Sequence, residues 1–383
     1  MKNTFQYSRV LDKLRIVQPP KELRHLKAVC QLQESFQCTT PASKFYKNNF
    51  GILVSCERVR KTTSQWSFGP TSMRKYNDAL EEFQKHQFLN VVENGQLVRK
   101  TIGDTYQLIG MKESYKIEKI LHSLPYDGAT GVILKYNGRY KDKYVICFRS
   151  AIETSSFMKI GLSGLGESAY PWSSKATANQ FLSSLYIEEY APIIREAVLN
   201  NWRPASEILF LGFSMGAALA QLSMYDLFVD QKLECQSSHL LLASPRVAND
   251  AFYEKLASSS TQTRVCNFIA AANFKDIVYM DPIPLMSNFR DPPQIYILGN
   301  LSQSCTKWHE QLLDPTLAFD TIFPIQIFKM RPEVHNTYTC SCIATFGTFL
   351  GSMLTGTSID IHNLAYFNAA NYCVIQRPSA STT

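Results

Sequence analysis

Ser214 is the residue of this chain best placed to act as a nucleophile, because it stands at the centre of the pentapeptide 212–216, GFSMG. A G-x-S-x-G sequence is typical of a sharp turn that raises a serine hydroxyl between a strand and a helix. Glycine is expected two residues before and after the serine, since side chains there would collide across the turn. The apolar run 208–211 indicates a buried strand, and the alanines after residue 216 indicate a closely packed helix. The sequence therefore predicts nucleophilic catalysis by Ser214.

A nucleophilic serine needs a base and an acid that orients the base. After this kind of turn the chain order is serine, acid, histidine. Asp276 lies at the end of a strand-like segment downstream of the turn and is the predicted acid. Asp281 precedes a proline, a position where aspartate often caps a turn, and it is the alternative.

Three of the seven histidines follow these aspartates, at positions 309, 335 and 362. His362 lies in a segment that reads as a loop entering a terminal helix. From such a late loop an imidazole can drop onto the serine. We predict His362 as the base and keep His335 as the alternative.

Attack of a serine on a carbonyl also needs N–H donors for the negative charge that develops on the carbonyl oxygen. The backbone N–H of Met215, directly after the serine, is the first predicted donor. The second should come from a loop at the end of an earlier strand, and Ala151 in the segment 148–151 (FRSA) is the candidate. This chemistry requires no metal or organic cofactor. The ten cysteines form neither a C-x-x-C pair nor a zinc-spaced cluster with histidine.

The elements that must position these groups alternate between strands and helices. This alternation predicts an α/β fold with a mostly parallel central sheet flanked by helices. Segments 131–136 and 143–148 are two strands joined by a polar turn with Asn137-Gly138, which predicts a hairpin.

Further along, segments 240–243 and 264–271 are apolar and read as strands. The amphipathic stretch 179–198 predicts a helix. Pro192 is expected to kink that helix or to start a second one.

The N-terminal third contains no catalytic motif. We interpret residues 1–105 as an accessory region that precedes a catalytic domain at 106–383. Within it, segments 51–59 and 96–109 read as strands and segment 72–88 as a helix.

Charge is unevenly distributed along the chain. Residues 1–120 contain 20 Lys and Arg against 11 Asp and Glu, a net charge of +9, whereas the whole chain carries +7. A solvated basic face is the plain interpretation, and peripheral contact with an anionic membrane or lipid surface is the sharper hypothesis. No basic motif interleaved with aromatic residues points to nucleic acid. The N-terminus lacks the apolar core of a signal peptide, which favours a cytoplasmic or membrane-surface location. Neither the composition nor the charge pattern indicates whether the chain is a monomer or an oligomer.

Four separated segments, in matching order, resemble the class 3 (fungal-type) lipase family of α/β-hydrolases. GFSMGAALA resembles the family's serine turn, and SPRVAN at 244–249 resembles its S-P-R-V-G-N segment. KDIVYMDPIP at 275–284 resembles the segment carrying the catalytic aspartate, which supports Asp276, and CFRSA at 147–151 resembles the oxyanion loop. The resemblance covers roughly residues 105–375. It implies hydrolysis of carboxylic esters of lipids, such as triacylglycerols, through an acyl-serine intermediate.

The chain departs from the family pattern at three positions. Phe213 replaces the usual histidine of the serine turn, and Ser150 and Ala151 replace the usual glycine and hydroxyl residue of the oxyanion loop. The loss of side-chain support at Ala151 motivates an alternative function, a lipid- or protein-binding module with weakened catalysis. Phospholipase or acyltransferase use of the same residues is a further alternative.

Overall fold

The computed structural model describes residues 14–39, 87–122, 128–151, 167–168, 175–301, 323–332, 366 and 373–375, without residues 95, 140, 201, 204, 260, 275–276, 282, 286–288 and 300. In these ranges the strands are β1 (Arg15–Ile16), β2 (Leu89–Glu93), β3 (Gln96–Lys100), β4 (Thr105–Gln107), β5 (Ser114–Leu121), β6 (Gly131–Asn137), β7 (Asp142–Phe148), β8 (Glu167–Ser168), β9 (Ala178–Asn179), β10 (Glu207–Phe213), β11 (Gln236–Leu242), β12 (Cys266–Phe274), β13 (Ile277–Met280), β14 (Gln294–Gly299), β15 (Phe323–Met330) and β16 (Cys373–Ile375). The α-helices are α1 (Leu26–Thr39), α2 (Gln180–Leu185), α3 (Ala191–Leu199), α4 (Met215–Tyr225) and α5 (Asp250–Ser258).

Five strands at the centre of the large sheet run parallel, in the order β14, β12, β11, β10, β7. Antiparallel strands extend the sheet on both sides, β15 and β1 beyond β14, and β6, β5 and β4 beyond β7. β13 and β16 pair with β12 and β15 outside this row. The carboxyl ends of the parallel strands lie at one edge, so the segments that follow β7, β10 and β12 meet there. The predicted α/β fold is confirmed, and its parallel part is the centre of a mixed sheet.

Apolar side chains of β10 alternate between the two faces of the sheet. Leu209, Leu211 and Phe213 join the core cluster that contains α1, whereas Ile208 and Phe210 join the cluster that contains α2 to α5. Helices therefore cover both faces, which explains why this strand is a continuous apolar run rather than an alternating one.

The hairpin predicted across Asn137-Gly138 is confirmed, because β6 and β7 pair antiparallel with Asn137 opposite Asp142. The stretch 179–198 is α2, a π-helical turn at Tyr186–Tyr190, and α3. Pro192 is the second residue of α3, which follows directly on the π-helical turn. This proline starts the second helix, as expected.

α1 packs under the central sheet, although the predicted boundary assigns it to the accessory region. Val29, Leu32 and Phe36 of α1 are buried in the same cluster as β7, β10 and β12. The division into 1–105 and 106–383 stays a prediction, but α1 is part of the hydrophobic core of the sheet.

Segment 96–109 forms two strands, β3 and β4, instead of one. The turn between them is held by the Asp104 carboxylate, which accepts from the Thr101 N–H at 2.7 Å. Segment 51–59 and residues 72–86 lie outside the described residues. In the ranges given above, no helix has the length and apolar character needed to cross a membrane.

Candidate functional site

Ser214 forms the turn between β10 and α4, and its backbone has φ of 57° and ψ of −125°. A residue other than glycine at positive φ is strained, and such strain is concentrated at functional sites. The Ser214 N–H donates to the Leu242 carbonyl at 2.8 Å, which ties the turn to the neighbouring strand. The side chain is 1% exposed, and its Oγ has no hydrogen-bond partner among the described residues. A strained serine with an unused hydroxyl therefore stands at the carboxyl edge of the sheet.

The two glycines of the pentapeptide allow the backbones at this turn to approach one another. A Cβ at Gly212 would lie 2.5 Å from Cα of Ala217, and a Cβ at Gly216 would lie 2.2 Å from the carbonyl oxygen of Phe148. Both distances are far below a van der Waals contact, so neither position has room for a side chain. Gly216 also brings α4 directly against the end of β7.

The two predicted oxyanion donors lie on the two segments that Gly216 brings together. Met215 is the first residue of α4, and the first N–H groups of a helix have no intrahelical acceptor. Ala151 follows β7, and both residues are buried. The N–H of Arg149, between β7 and Ala151, donates to the Thr130 carbonyl at 2.9 Å, which fixes the start of this loop.

Sequence reasoning missed a residue of this site, Gln33 on α1. Its Nε2 donates to the Phe148 carbonyl at 3.0 Å, and its Oε1 accepts from the Ser150 N–H at 2.9 Å. The signal in the sequence is an amide on the apolar face of a helix, three residues after Cys30 and three before Phe36.

Asp281 is the candidate acid that the structure describes. Its N–H donates to the Ala270 carbonyl at 2.9 Å, and the residue is fully buried. One carboxylate oxygen accepts from the Ile283 N–H at 3.0 Å, and the other accepts from the Tyr366 hydroxyl at 2.9 Å. Burial and the Asp281 charge raise the pKa of Tyr366 well above its usual range, so the phenol remains a donor to this carboxylate.

Asp276 lies outside the described residues. The pairs on either side of it are described: β12 and β13 form a hairpin in which Phe274 pairs with Ile277 and Ala271 pairs with Met280. Asp276 therefore falls at the tip of this hairpin in the sequence, whereas Asp281 follows the strand that returns to the sheet.

Ser214 and Asp281 are at the same edge of the sheet, with β11 between them. Leu242 on β11 accepts the Ser214 N–H and pairs with Phe268 on β12. The Asp281 N–H donates to the carbonyl of Ala270, which lies two residues after Phe268 on β12. Two strand spacings separate β10 from β12 by about 10 Å. Side chains that lean into this gap leave room for an imidazole with one hydrogen bond on each side.

His362 and His335 both lie outside the described residues. Tyr366, four residues after His362, is described: its ring is 5.3 Å from the ring of Phe213, beside the serine turn. Its hydroxyl accepts from the Ala270 N–H at 2.8 Å. The terminal segment is therefore anchored at Tyr366, between the serine turn and the candidate acid.

Two described histidines have structural roles instead. His239 is buried on β11, where its Nε2 accepts from the Cys266 N–H at 3.1 Å, and burial lowers its pKa to about 4. Burial, with a smaller effect of Arg24, lowers the pKa of His25 to about 4 as well.

The SPRVAN segment that follows β11 is held by buried polar contacts. The Ser244 N–H donates to Oδ1 of Asn267 at 2.9 Å, and Nε2 of Gln221 on α4 donates to the Ser244 hydroxyl at 2.6 Å. Arg246 and Asp291 form a buried ion pair at 2.9 Å. These contacts fix the loop beside the serine turn, which gives the segment a structural role.

A cavity of about 390 Å³ lies at the opposite, amino edge of the sheet. Residues at the starts of β7, β10 and β11 line it, including Lys143, Glu207 and Gln236. Lys143 pairs with Glu113 and Glu207 pairs with Lys141, and Lys21, Arg24 and Lys112 also line the cavity. This cavity is separated from Ser214 by the length of the strands. Among the described residues, no cluster of His, Cys, Asp or Glu is arranged to hold a metal ion.

Comparison with known proteins finds a family model that is similar to part of this chain. Residues 145–284 match the model of the lipase (class 3) family. The matched range begins in β7 and ends after Asp281, so it contains the oxyanion loop, Ser214 and both candidate acids. It leaves out α1 and His362. No curated protein matches the chain.

Solved lipase structures are similar to the chain at low sequence identity. The native Rhizomucor miehei lipase propeptide complex has a TM-score of 0.43 and 16% identity over 77% of this chain and 75% of that chain. The lipase from Rhizopus microsporus var. chinensis has a TM-score of 0.41 and 13% identity over 82% of this chain and 81% of that chain. Since both TM-scores are below 0.5, the comparison depends on the family-model match over residues 145–284.

Proposed function

We propose, from the membership of residues 145–284 in the class 3 lipase family, that the chain cleaves carboxylic esters of lipids through an acyl intermediate on Ser214. The observation that supports this most directly is the strained, buried Ser214 with an Oγ that has no partner among the described residues. A structural serine in a buried turn would be expected to use its hydroxyl in a hydrogen bond.

In the proposed reaction His362 takes the proton from Ser214 Oγ as this oxygen attacks the ester carbonyl carbon. The N–H groups of Met215 and Ala151 bind the oxyanion of the tetrahedral intermediate. The imidazolium then protonates the leaving alcohol, and the C–O bond to it breaks. Water, deprotonated by the same imidazole, attacks the acyl-enzyme and releases the fatty acid.

For the acid, the described geometry favours Asp281 over Asp276. The buried Asp281 carboxylate lies at the edge that carries Ser214, and it accepts hydrogen bonds from Ile283 and Tyr366. Hydrogen bonds of this kind hold a buried carboxylate in one orientation. Asp276 stays the prediction of the sequence, and the two are separated below by mutation.

For the base, the position of Tyr366 favours His362 over His335. Four residues of chain span about 15 Å at most, so His362 stays close to the anchored Tyr366. His335 follows β15, whose last residue, Met330, pairs with Ile295 near the start of β14. That end of β15 is at the amino edge, away from Ser214.

Hydrolysis assays on a triglyceride, a phospholipid and a short-chain p-nitrophenyl ester would test the proposal. We expect release of fatty acid from at least one lipid ester and its loss in Ser214→Ala. Retained hydrolysis in the purified Ser214→Ala variant would contradict the role of this serine. The preferred ester distinguishes lipase from phospholipase use of the site.

A binding module with weakened catalysis is the second candidate function. It is favoured by Ala151, which provides no hydroxyl to support the oxyanion loop. Folded protein that binds lipid vesicles but hydrolyses none of the three esters would support this candidate. Flotation with anionic and neutral vesicles at low and high salt would also test the sharper hypothesis that the basic residues of 1–120 bring the chain to a membrane surface.

A further inference from the structure

We propose that Gln33 of α1 is a positioning residue for the oxyanion site, because its side-chain amide holds the backbone that carries the Ala151 N–H. This inference rests on the proposed function of the site and adds a residue from outside the range that matches the family. Gln33 does not touch the reacting atoms, so its effect on catalysis is exerted through the loop 148–151.

The amide of Gln33 binds the end of β7 as a neighbouring strand would. Its Nε2 donates to the Phe148 carbonyl at 3.0 Å, and its Oε1 accepts from the Ser150 N–H at 2.9 Å. The carbonyl of one residue and the N–H two residues later are the groups that a paired strand uses. The amide thereby fixes the Arg149–Ser150 peptide, one peptide before the Ala151 N–H, at the point where β7 leaves the sheet.

The Phe148 carbonyl links this contact to the serine turn. A Cβ at Gly216 would lie 2.2 Å from this oxygen, so α4 packs directly against it. Gln33 therefore donates to the Phe148 carbonyl oxygen, and α4, which begins at Met215, packs against the same oxygen. The spacing between the two oxyanion donors depends on this oxygen.

The environment of Gln33 makes the two hydrogen bonds strong constraints. Gln33 is 2% exposed, among the apolar residues of the cluster that contains α1 and β7. A buried amide that loses its partners is costly, so the side chain has little freedom to release the loop. Loss of the amide frees the loop, and displacement of a donor by about 1 Å can reduce a rate by about 10²-fold.

α1 also offers a matched control, Gln31. Its Nε2 donates to the Gln107 carbonyl at 2.9 Å, and its Oε1 accepts from the Ile109 N–H at 2.9 Å. The chemistry is the same as at Gln33, but these contacts hold the turn between β4 and β5, far from the serine. A general effect of weakening α1 would therefore appear in both variants.

The test compares Gln33→Met, Gln33→Glu and Gln31→Met with the wild type on a p-nitrophenyl ester. For Gln33→Met we expect kcat to fall about 10- to 100-fold while KM changes less than about 3-fold, because the oxyanion forms only in the transition state. The inhibition constant of an alkyl boronic acid, which forms a tetrahedral anion on serine, should rise by a similar factor. Gln33→Glu keeps the acceptor for the Ser150 N–H and should lose less. Gln31→Met should retain kcat.

The outcomes separate this inference from the proposed function. If the wild type hydrolyses the ester through Ser214 and both Gln33 variants keep the wild-type kcat and boronic acid affinity, the positioning role is wrong and the function stands. An equal loss in Gln31→Met, or failure of both Gln33 variants to fold, would assign Gln33 to the core alone and overturn the inference. A wild type that neither turns over the ester nor binds the boronic acid would remove the function itself.

Discussion

The two edges of the parallel sheet are built differently. At the carboxyl edge, Ser214 is strained, its hydroxyl has no partner among the described residues, and Gly216 leaves no room for a side chain between α4 and the end of β7. At the amino edge, a cavity of about 390 Å³ is lined by charges such as Lys143 and Glu207 that are paired with Glu113 and Lys141.

Surface ion pairs such as Lys143–Glu113 and Lys141–Glu207 contribute little free energy each. A strained residue with an unused hydroxyl is costly to maintain, and it becomes useful when a substrate supplies the missing partner. We therefore place the proposed reaction at the carboxyl edge, and the four predictions that follow test this contrast.

Removal of the base is expected to have the largest effect. His362→Gln should reduce kcat by about 10⁵-fold or more, because an alkoxide cannot form at Ser214 without a proton acceptor. His335→Gln, on a segment that follows the amino edge, should keep kcat within a factor of about 3. Steady-state assays of the two variants decide between them, and a loss confined to His335→Gln would reverse the assignment.

Removal of the acid should have the second-largest effect, and we expect Asp281→Asn to reduce kcat by about 10⁴-fold. The amide cannot stabilise the imidazolium or hold the required tautomer. Asp276→Asn is the matched variant, and it is expected to remain active. The sequence-based choice would be restored if Asp276→Asn were the inactive one.

Two glycine substitutions compare the edges directly. A Cβ at Gly216 meets the Phe148 carbonyl at 2.2 Å, and a Cβ at Gly138, in the β6–β7 turn at the amino edge, meets the Lys141 carbonyl at 2.4 Å. Both Gly→Ala variants should lose about 1–3 kcal/mol of unfolding free energy. Only Gly216→Ala should also lose kcat, by about 10²-fold, since it moves α4 relative to the oxyanion loop. Similar losses of kcat in both variants would show that the edges are not distinct.

The smallest effect is expected for the ion pair at the amino edge. The hydrogen bond from Lys143 holds the pKa of Glu113 below its ordinary value of 4.5. The pair therefore stabilises the fold above that pH, and this contribution is lost as the pH falls through the lowered pKa. Lys143→Met should cost at most about 1 kcal/mol near pH 7, with less cost in acid, and should leave kcat unchanged. Urea unfolding at several pH values measures this loss of stability. A large loss of kcat in Lys143→Met would instead indicate that residues at the amino edge take part in the reaction.

Much of the carboxyl edge could be predicted from the sequence because its constraints are local. Gly212, Ser214 and Gly216 lie within five residues, and the turn they form depends on backbone sterics that any reader of the sequence can apply. The hairpin at Asn137-Gly138 and the helix start at Pro192 were predictable for the same reason.

The remaining parts depend on contacts between distant segments. Gln33 reads as a polar residue on an apolar helix face, and its meaning appears only when α1 is placed under β7. Asp281 resembles a turn cap, and its position beside the serine follows from the β12–β13 hairpin, which a strand-end rule does not detect. The hydroxyl of Tyr366 joins Asp281 across the fold, and no spacing in the sequence records this contact.

The most direct test of the proposed reaction at the carboxyl edge is labelling with a fluorophosphonate probe, followed by mass spectrometry of the labelled peptide. Such probes react with a serine only when a base activates its hydroxyl and N–H donors stabilise the oxyanion. We expect a single modified residue, Ser214, and no labelling of Ser214→Ala or of heat-unfolded protein. Folded wild-type protein that stays unlabelled, or that is labelled at another serine, would contradict the account.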